Sequence, residues 1–175
     1  MTARTRGFAW RAAYLGAAAV LYLGDQASKA WVYERLRGGG VMNVIGETVR
    51  FSYAENPGIA FGQLQEGGEF GRWMLSALAA LAAVGLLLYF FRTKRTDDRI
   101  LGALSLLLAG VAGNLTDRVR LGHVIDFIEV FIGSYQWPTF NVADAAICVG
   151  AGLLALDLFL EGREEAKQKE IMGDG

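Results

Sequence analysis

Ionisable side chains interrupt the apolar segments of this sequence at a few positions, and their placement suggests chemistry. They are Asp25, Lys29, Asp117, Asp126 and Asp144. An ionisable group within an apolar segment is costly and marks function by default. Two carboxylates that converge in such surroundings cannot both ionise easily, so they share one proton. The ionised member can then accept a proton from water while the neutral member polarises a carbonyl group, which is a route to peptide-bond hydrolysis without a metal.

Four of the polar residues also have purely structural interpretations. Asp25 and Lys29 are four residues apart on one predicted helix, which is a good spacing for an ion pair. Lys29 could equally extend towards a membrane interface. Asn141 and Asp144 are three residues apart, a spacing typical of a capping box in which Asn141 is the N-cap.

Asp117 and Asp126 are harder to explain by structure alone. Asp117 ends the predicted third helix, where a carboxylate opposes the helix dipole, so we expect it to lean on Arg118 or another donor. Asn114 lies three residues earlier and shares a face with Asp117. Asp126 falls in a strand-like run, on the side that carries branched aliphatic residues. A carboxyl group there has a raised pKa unless the segment is a loop.

Other hydrolytic chemistries fit the sequence less well. Ser28 and Lys29 are neighbours on a helix and point about 100° apart, so they make a poor dyad. His123 has no obvious nucleophile beside it, and the sequence has no G-x-S-x-G motif. Cys148 falls in mid-helix, where we expect a buried, inert thiol. Asn56-Pro57-Gly58, taken alone, is best interpreted as a turn.

The composition excludes several classes of protein. The chain has 175 residues, of which 53% are hydrophobic and 20% charged, and its mean hydropathy is +0.30. It is therefore not a disordered chain. The net charge of −1 disfavours a nucleic-acid binder. One cysteine and one histidine exclude an internal disulfide and the H-E-x-x-H zinc motif.

The apolar segments are long enough to cross a membrane. Trp73–Phe91 is uncharged over its whole length and has no polar stripe, unlike a helix of a soluble bundle. Residues 1–24 could be a signal peptide with small residues for cleavage at Ala17–Ala19. However, the apolar character continues to Leu23, and cleavage would leave an odd number of spans, so we interpret them as part of a retained helix. We expect an all-α membrane protein with four transmembrane helices, at about residues 9–33, 70–91, 100–117 and 141–160.

The basic residues predict the orientation. Ten of the seventeen lie in residues 1–11, 92–99 and 161–175, which places both ends of the chain and the middle loop in the cytoplasm. Residues 34–69 and 118–140 are then extracytoplasmic. Thr48–Tyr53 and Val124–Ile132 are rich in β-branched and aromatic residues and predict strands there. We expect one domain over residues 1–160 and a charged cytoplasmic tail, frayed, over 161–175.

Five motifs occur along the sequence in this order: Asp25-Gln26-Ala27-Ser28-Lys29, Asn56-Pro57-Gly58-Ile59-Ala60-Phe61-Gly62, Gly113-Asn114-Leu115-Thr116-Asp117-Arg118, Val124-Ile125-Asp126-Phe127-Ile128 and Phe140-Asn141-Val142-Ala143-Asp144. Together they resemble the motifs of the lipoprotein signal peptidase family (signal peptidase II), whose members are membrane aspartic peptidases. The resemblance covers about residues 10–160. Two departures are mild: Ala109-Gly110 stands where the family often has Gly-Gly, and Ser28 stands where Thr is commoner.

The resemblance implies an activity and a site. Asp126 and Asp144 would form the catalytic dyad, which the residue chemistry alone does not choose over Asp117. The substrate would be a prolipoprotein carrying a diacylglyceryl group, cut just before the lipidated cysteine. The residues that would line or brace the site are Asn56, Gly58, Asn114, Asp117, Arg118, Asn141 and Ala143, with Asp25 and Lys29 in support.

The resemblance also implies the setting. It predicts a multi-pass protein of the bacterial plasma membrane, with its site at the extracytoplasmic face, a small β-cradle, and a short amphipathic helix within residues 57–66. We expect the protein to use no metal or cofactor. Its expected partners are membrane lipids and prolipoproteins, and we expect it to be a monomer. The alternatives are a small proton- or ion-coupled transporter, which would need polar groups through the full membrane depth, and a non-enzymatic scaffold.

Overall fold

Four helices and a four-stranded sheet make up the part of the chain that the structure describes. The computed structural model describes residues 3–58, 68–94 and 97–173. The predicted short amphipathic helix within 57–66 falls almost entirely outside the described residues. In chain order the elements are α1 (Ala3–Leu36), β1 (Met42–Ile45), β2 (Val49–Asn56), α2 (Gly68–Arg92), α3 (Asp98–Leu121), β3 (Val124–Ile132), β4 (Tyr135–Phe140) and α4 (Val142–Gly173).

The third helix is the centre of the bundle, because α1, α2 and α4 all pack against it. Glycines let the backbones of α3 and α4 approach closely, as is common between membrane helices. A Cβ atom at Gly110 would clash with the carbonyl oxygen of Ala143. One at Gly150 would lie 2.8 Å from the carbonyl oxygen of Ala103. The start of α4 is therefore pressed against α3.

Side-chain contacts define one end of the bundle, opposite the sheet. The Trp10 indole donates a hydrogen bond to Asp98 (3.0 Å), and Arg11 donates to the carbonyl of Thr93 (2.6 Å). Arg99 pairs with Asp157 of α4 (3.6 Å). The first part of α1, the α2–α3 connection and the later part of α4 thus meet at this end. We call the other end, where the strands lie, the sheet end.

The sheet is antiparallel with strand order β1-β2-β3-β4. Strand β3 has the predicted bounds, and β2 overlaps the predicted strand but continues to Asn56. Two strands are not predicted by the sequence pattern: β1, which has only four residues, and β4, which contains Pro138 on an edge strand. A buried cluster of Val32, Leu36 and Phe127 fixes the sheet to the end of α1.

Three of the described helices are long and apolar enough to cross a membrane: Glu69–Arg92, Asp98–Leu121 and Val142–Arg163. The first helix is longer, but charged residues interrupt its apolar stretch. Large aliphatic side chains of α2, such as Leu78, Leu81 and Leu88, are exposed on its outer surface. A continuous apolar surface of this kind is typical of a helix that faces lipid.

Three expectations about local structure are wrong. Residues from Glu161 onward continue α4 as helix to Gly173 instead of fraying, since Glu, Ala, Lys and Gln are strong helix formers. The third helix continues past residue 117 and ends at Leu121. The next residue, Gly122, takes a left-handed conformation (φ 86°) and closes the helix. Cys148 is exposed on α4 instead of buried, because its side of the helix faces away from α3.

The close contact of α3 and α4 can be tested by adding a methyl group. We expect Gly110→Ala to lower the stability by about 1–3 kcal/mol, because the new Cβ must displace backbone. Gly85→Ala on α2 is the matched control: its Cβ would meet nothing within 4 Å, so it should leave stability unchanged or raise it. Thermal unfolding in detergent measures both. Equal melting temperatures for the two variants would contradict close packing of α3 on α4 at Gly110.

Candidate active site

Asp126 and Asp144 converge on a single asparagine at the sheet end. Asp126 lies on β3 and is 3% exposed, while Asp144 lies in the first turn of α4. The side-chain amide of Asn141 donates to Asp126 Oδ1 (2.7 Å), and its backbone N–H donates to Asp144 Oδ2 (3.3 Å). Two carboxylates from different elements are thus held by one residue.

The other oxygen of each carboxylate also accepts a hydrogen bond from an asparagine. Asn56, at the end of β2, donates to Asp126 Oδ2 (2.8 Å). Asn114, on α3, donates to Asp144 Oδ1 (2.7 Å). All four oxygens therefore have an amide donor, which fixes the carboxylates without adding a charge next to either.

The start of α4 explains how Asp144 is placed. Its backbone N–H donates to Asn141 Oδ1 (2.8 Å), so the reciprocal capping box predicted from the spacing of the two residues is confirmed. A second carboxylate caps the same turn from another helix: the N–H of Ala143 donates to Asp25 Oδ1 (2.9 Å). The first turn of α4 is thereby tied to α1 as well as to α3.

Lys29 lies at the centre of a buried polar network behind the two aspartates. Its ammonium is within 2.9 Å of Asp25 Oδ2 and 2.8 Å of Asp117 Oδ2, and it donates to Asn114 Oδ1 (3.1 Å). The ion pair of Asp25 and Lys29 is confirmed. Extension of Lys29 to an interface is wrong, because the residue is only 2% exposed and a buried ammonium is held where it is paired.

Asp117 is expected to lean on Arg118 or another donor, and the structure shows other donors. Besides Lys29, it accepts hydrogen bonds from the Gln26 amide (3.1 Å) and from the N–H of Ile125 (3.3 Å). The shared face of Asn114 and Asp117 is confirmed, since both contact the same ammonium. Gln26, which also donates to Asp25, is not among the predicted site residues, and only its position between ionisable residues could have suggested it.

Arg118 and Gly58 lie together at the edge of the site. Gly58 has a φ of +78°, and its N–H donates to the Asn56 side chain (2.8 Å), so the predicted turn is present. A Cβ at Gly58 would lie 2.7 Å from Leu75 and 3.5 Å from Arg118 Nη2. The guanidinium of Arg118 interacts electrostatically with the aspartates of the site.

The protonation of Asp126 differs from that of an exposed carboxyl. Burial raises the pKa of Asp126 above its ordinary value, and the neighbouring charge of Asp144 raises it further. Hydrogen bonds from Asn56 and Asn141 and the charge of Lys29 oppose this rise. The site therefore suits one neutral and one ionised carboxyl group. Within the described ranges, no group of three or more His, Cys, Asp or Glu could hold a metal ion.

The apolar outer surfaces of the helical bundle fit a membrane protein, and the arrangement of Asp126 and Asp144 at one end suits acid–base chemistry by two carboxyl groups. Comparison with known proteins agrees. A family profile described as Signal peptidase (SPase) II matches residues 17–160. The chain belongs to the signal peptidase II family, and it is a peptidase.

Individual relatives match over most of their length. A lipoprotein signal peptidase of Cellvibrio japonicus (strain Ueda107) is 40% identical over 153 residues, covering 87% of this chain and 89% of the relative. One of Geobacter sulfurreducens is 41% identical over 143 residues, covering 81% and 88%. A solved structure of a bacterial membrane enzyme, obtained by the in meso method at 1.9 Å, has a TM-score of 0.75 and 28% identity over 84% of this chain and 92% of that one.

The raised pKa of Asp126 predicts how stability depends on pH. An acid whose pKa is raised on folding contributes most to stability below its unfolded pKa, and that contribution is lost as the pH rises through the folded pKa. Asp126→Asn does not titrate. We therefore expect its melting temperature, relative to the native chain, to be higher at about pH 8 than at about pH 5.

Thermal unfolding at the two pH values measures this difference. Glu47→Gln, in the exposed turn between β1 and β2, is the control for removing one negative charge from the sheet. A relative melting temperature of Asp126→Asn that is the same at both pH values, or lower at the higher one, would show that burial does not disfavour the ionised form.

Proposed function

We propose that this chain removes the signal peptide from prolipoproteins that carry a diacylglyceryl group, cutting just before the lipidated cysteine. The observation that carries the proposal is the placement of Asp126 and Asp144 on either side of Asn141. The family assignment and the naming of its relatives as lipoprotein signal peptidases support the same substrate class.

The proposed mechanism uses the two carboxylates and one water. The ionised carboxylate accepts a proton from water as the water oxygen bonds to the carbonyl carbon, and the neutral carboxyl gives its proton to the carbonyl oxygen. The resulting gem-diol then collapses. Its C–N bond breaks, the amine nitrogen takes the proton first removed from water, and a gem-diol hydroxyl returns a proton to the other carboxylate. The pair ends as it began, and we treat its titration as that of a unit.

The supporting residues have separable roles in this proposal. Asn56, Asn114 and Asn141 orient the two carboxylates, and Gly58 lets the turn after Asn56 approach Leu75 closely, with Arg118 beside it at the edge of the site. A second group holds the first turn of α4 and the end of α3 in place around them: Asp25, Lys29, Asp117 and Ala143.

We further propose four membrane crossings with both termini in the cytoplasm of a bacterial cell and the sheet end outside. The contacts of Trp10, Arg11 and Arg99 support this orientation, since they place the cation-rich segments together at the end opposite the aspartates. The first helix is the fourth span, with Asp25 and Lys29 paired inside the bundle. Residues 1–160 then form one membrane domain, followed by a cytoplasmic charged tail.

The location of the site suits a lipid-modified substrate. Acyl chains on the cysteine stay in the membrane, so the peptide bond beside them lies near the outer interface. Burial of those chains, at about 0.8 kcal/mol per CH₂, helps to position that bond. We propose a monomer that meets its substrate in the plane of the membrane.

The distribution of charge does not favour the transporter alternative. Among the described residues, the buried ionisable side chains gather at the sheet end, where Asp25, Lys29, Asp117 and Asp126 contact one another or the same asparagines. Asp157 is the exception, and it pairs with Arg99 at the other end. A transport pathway needs polar groups along the whole depth between these ends.

The dyad is tested by removing one carboxylate at a time. We expect Asp126→Asn and Asp144→Asn to fold and to lose cleavage of a lipidated prolipoprotein by at least about 10³-fold, because neither keeps both an acid and a base. Release of the signal peptide by the purified proteins measures this. Asp98→Asn, an exposed acid at the opposite end, is the control and should cleave at the native rate. Native turnover by either dyad variant would remove that residue from the reaction.

The orientation has its own test. A green fluorescent protein fused after Gly175 should fluoresce, and alkaline phosphatase fused at the same place should be inactive, because both report a cytoplasmic carboxyl terminus. Phosphatase inserted in the turn at Gly46 should be active. The reverse pattern would place the sheet end, and with it the aspartates, in the cytoplasm.

A further inference from the structure

We propose that Lys29 is a positioning residue that locks the Asn114 amide as a hydrogen-bond donor to Asp144, and thereby keeps Asp144 as the ionised member of the pair. This inference rests on the proposed function. It adds a role for a side chain whose own ion pairs are with Asp25 and Asp117 and not with the dyad. The role follows from which atoms can donate and which can only accept.

The hydrogen bonds of Asn114 can run in one direction only. A lysine ammonium has three donors and no acceptor, so the Asn114 atom that faces Lys29 must be the oxygen. The nitrogen of the same amide then points to Asp144 Oδ1, at 2.7 Å. Turning the amide over would put its NH₂ group against the ammonium. Lys29 therefore fixes the orientation in which the Asn114 amide donates a hydrogen bond to Asp144.

The other neighbours of this amide hold it less firmly. Asn141 also donates to the Asn114 oxygen (3.2 Å), but that bond is between neutral groups, and hydrogen bonds from a charged donor are roughly twice as strong. Asp144 itself cannot hold the amide through a whole turnover. When it accepts a proton, it can become a donor, and a free Asn114 amide would turn to accept from it.

Lys29 is itself held in place. Its ammonium is within hydrogen-bond distance of Asp25, Asp117 and Asn114, so all of its donors have acceptors. The two carboxylates are fixed in turn by backbone groups, Asp25 by the N–H of Ala143 and Asp117 by the N–H of Ile125. The direction of the Asn114 amide is thus set by parts of α1, α3, α4 and β3 together.

The surroundings of the two aspartates also differ in which protonation state they favour. Asp144 lies at the N-terminus of α4, where the helix dipole favours a negative charge. Asp126 lies on a strand among buried apolar residues, with Val124 and Phe127 as near neighbours in the chain. The structure therefore assigns the shared proton to Asp126, which polarises the carbonyl, and makes Asp144 the group that takes the proton from water.

The test is a double-mutant cycle with Lys29→Met and Asn114→Ala. We expect Lys29→Met alone to lower kcat by about 10- to 100-fold, the size of one lost charge-assisted hydrogen bond, with KM within about 2-fold. In the Asn114→Ala background the same change should lower kcat by less than about 2-fold, since there is no amide left to orient. Effects on kcat that multiply would overturn the proposal, because Lys29 would then not act through Asn114.

A charge-balanced variant separates orientation from stability. Lys29→Met leaves Asp25 and Asp117 buried without a counter-ion and could prevent folding. Lys29→Met combined with Asp117→Asn removes one charge of each sign, so only Asp25, which accepts a hydrogen bond from the N–H of Ala143, is left without a counter-ion. We expect this chain to regain most of the melting temperature but to keep the low kcat. Recovery of kcat together with the melting temperature would show a purely structural role and contradict the proposal.

Further variants separate this inference from the proposed function. Arg99→Met removes the cation of the ion pair at the opposite end and should keep the native kcat. Asp126→Asn and Asp144→Asn report on the dyad in the same assay. If they are inactive while Lys29→Met has the native kcat, only the role of Lys29 fails. If they remain active, the proposed function itself fails.

Discussion

Mutual repulsion of two carboxylates is the constraint that organises the sheet end of this protein. Asp126 and Asp144 come from a strand and a helix and meet at Asn141 with little water around Asp126. They can share this space because one neutral carboxyl and one carboxylate repel far less than two carboxylates. The three asparagines supply neutral donors to all four oxygens, so these donors add no charge of their own to the pair.

The buried charges behind the two aspartates also avoid repulsion, in this case because a cation pairs with the carboxylates. Lys29 sits between Asp25 and Asp117, and amide or backbone donors bind the remaining carboxylate oxygens. Breaking such a cluster leaves an unpaired charge in an apolar bundle, which is far costlier than never having buried it. Close packing of α3 on α4 at Gly110 brings these groups within reach. Helix packing and the polar network therefore depend on each other.

Much of this arrangement could be predicted from the sequence. Helix-forming apolar runs, the β-branched run of β3 and the spacing of Asn141 and Asp144 each report local structure, and local structure is what periodicity and capping rules describe. The family resemblance singles out Asp126, which residue chemistry alone does not prefer to Asp117. The identity of the donors that bind Asp117 could not be predicted from the sequence, because it depends on how α1 packs against α3. Two of these donors, Lys29 and Gln26, are far from Asp117 in the sequence.

The remaining errors have the same origin. Strand β1 is too short to give a clear sequence pattern, and β4 contains a proline. Their conformation therefore depends more on pairing with β2 and β3 than on their own residues. A charged segment that is polar all round is expected to fray, yet the residues after Glu161 have high helix propensity and continue α4. Exposure of Cys148 follows from the side of α4 that packs on α3, which sequence position alone does not reveal.

The pH dependence of kcat/KM with a lipidated prolipoprotein tests the sharing of one proton by two aspartates most directly. If one carboxyl must be neutral and the other ionised, activity rises as the first group ionises and falls as the second does, which gives a bell-shaped profile with both limbs assigned to the pair. A profile that rises with pH to a plateau would mean that a single ionised group is sufficient, and it would contradict a shared proton between Asp126 and Asp144.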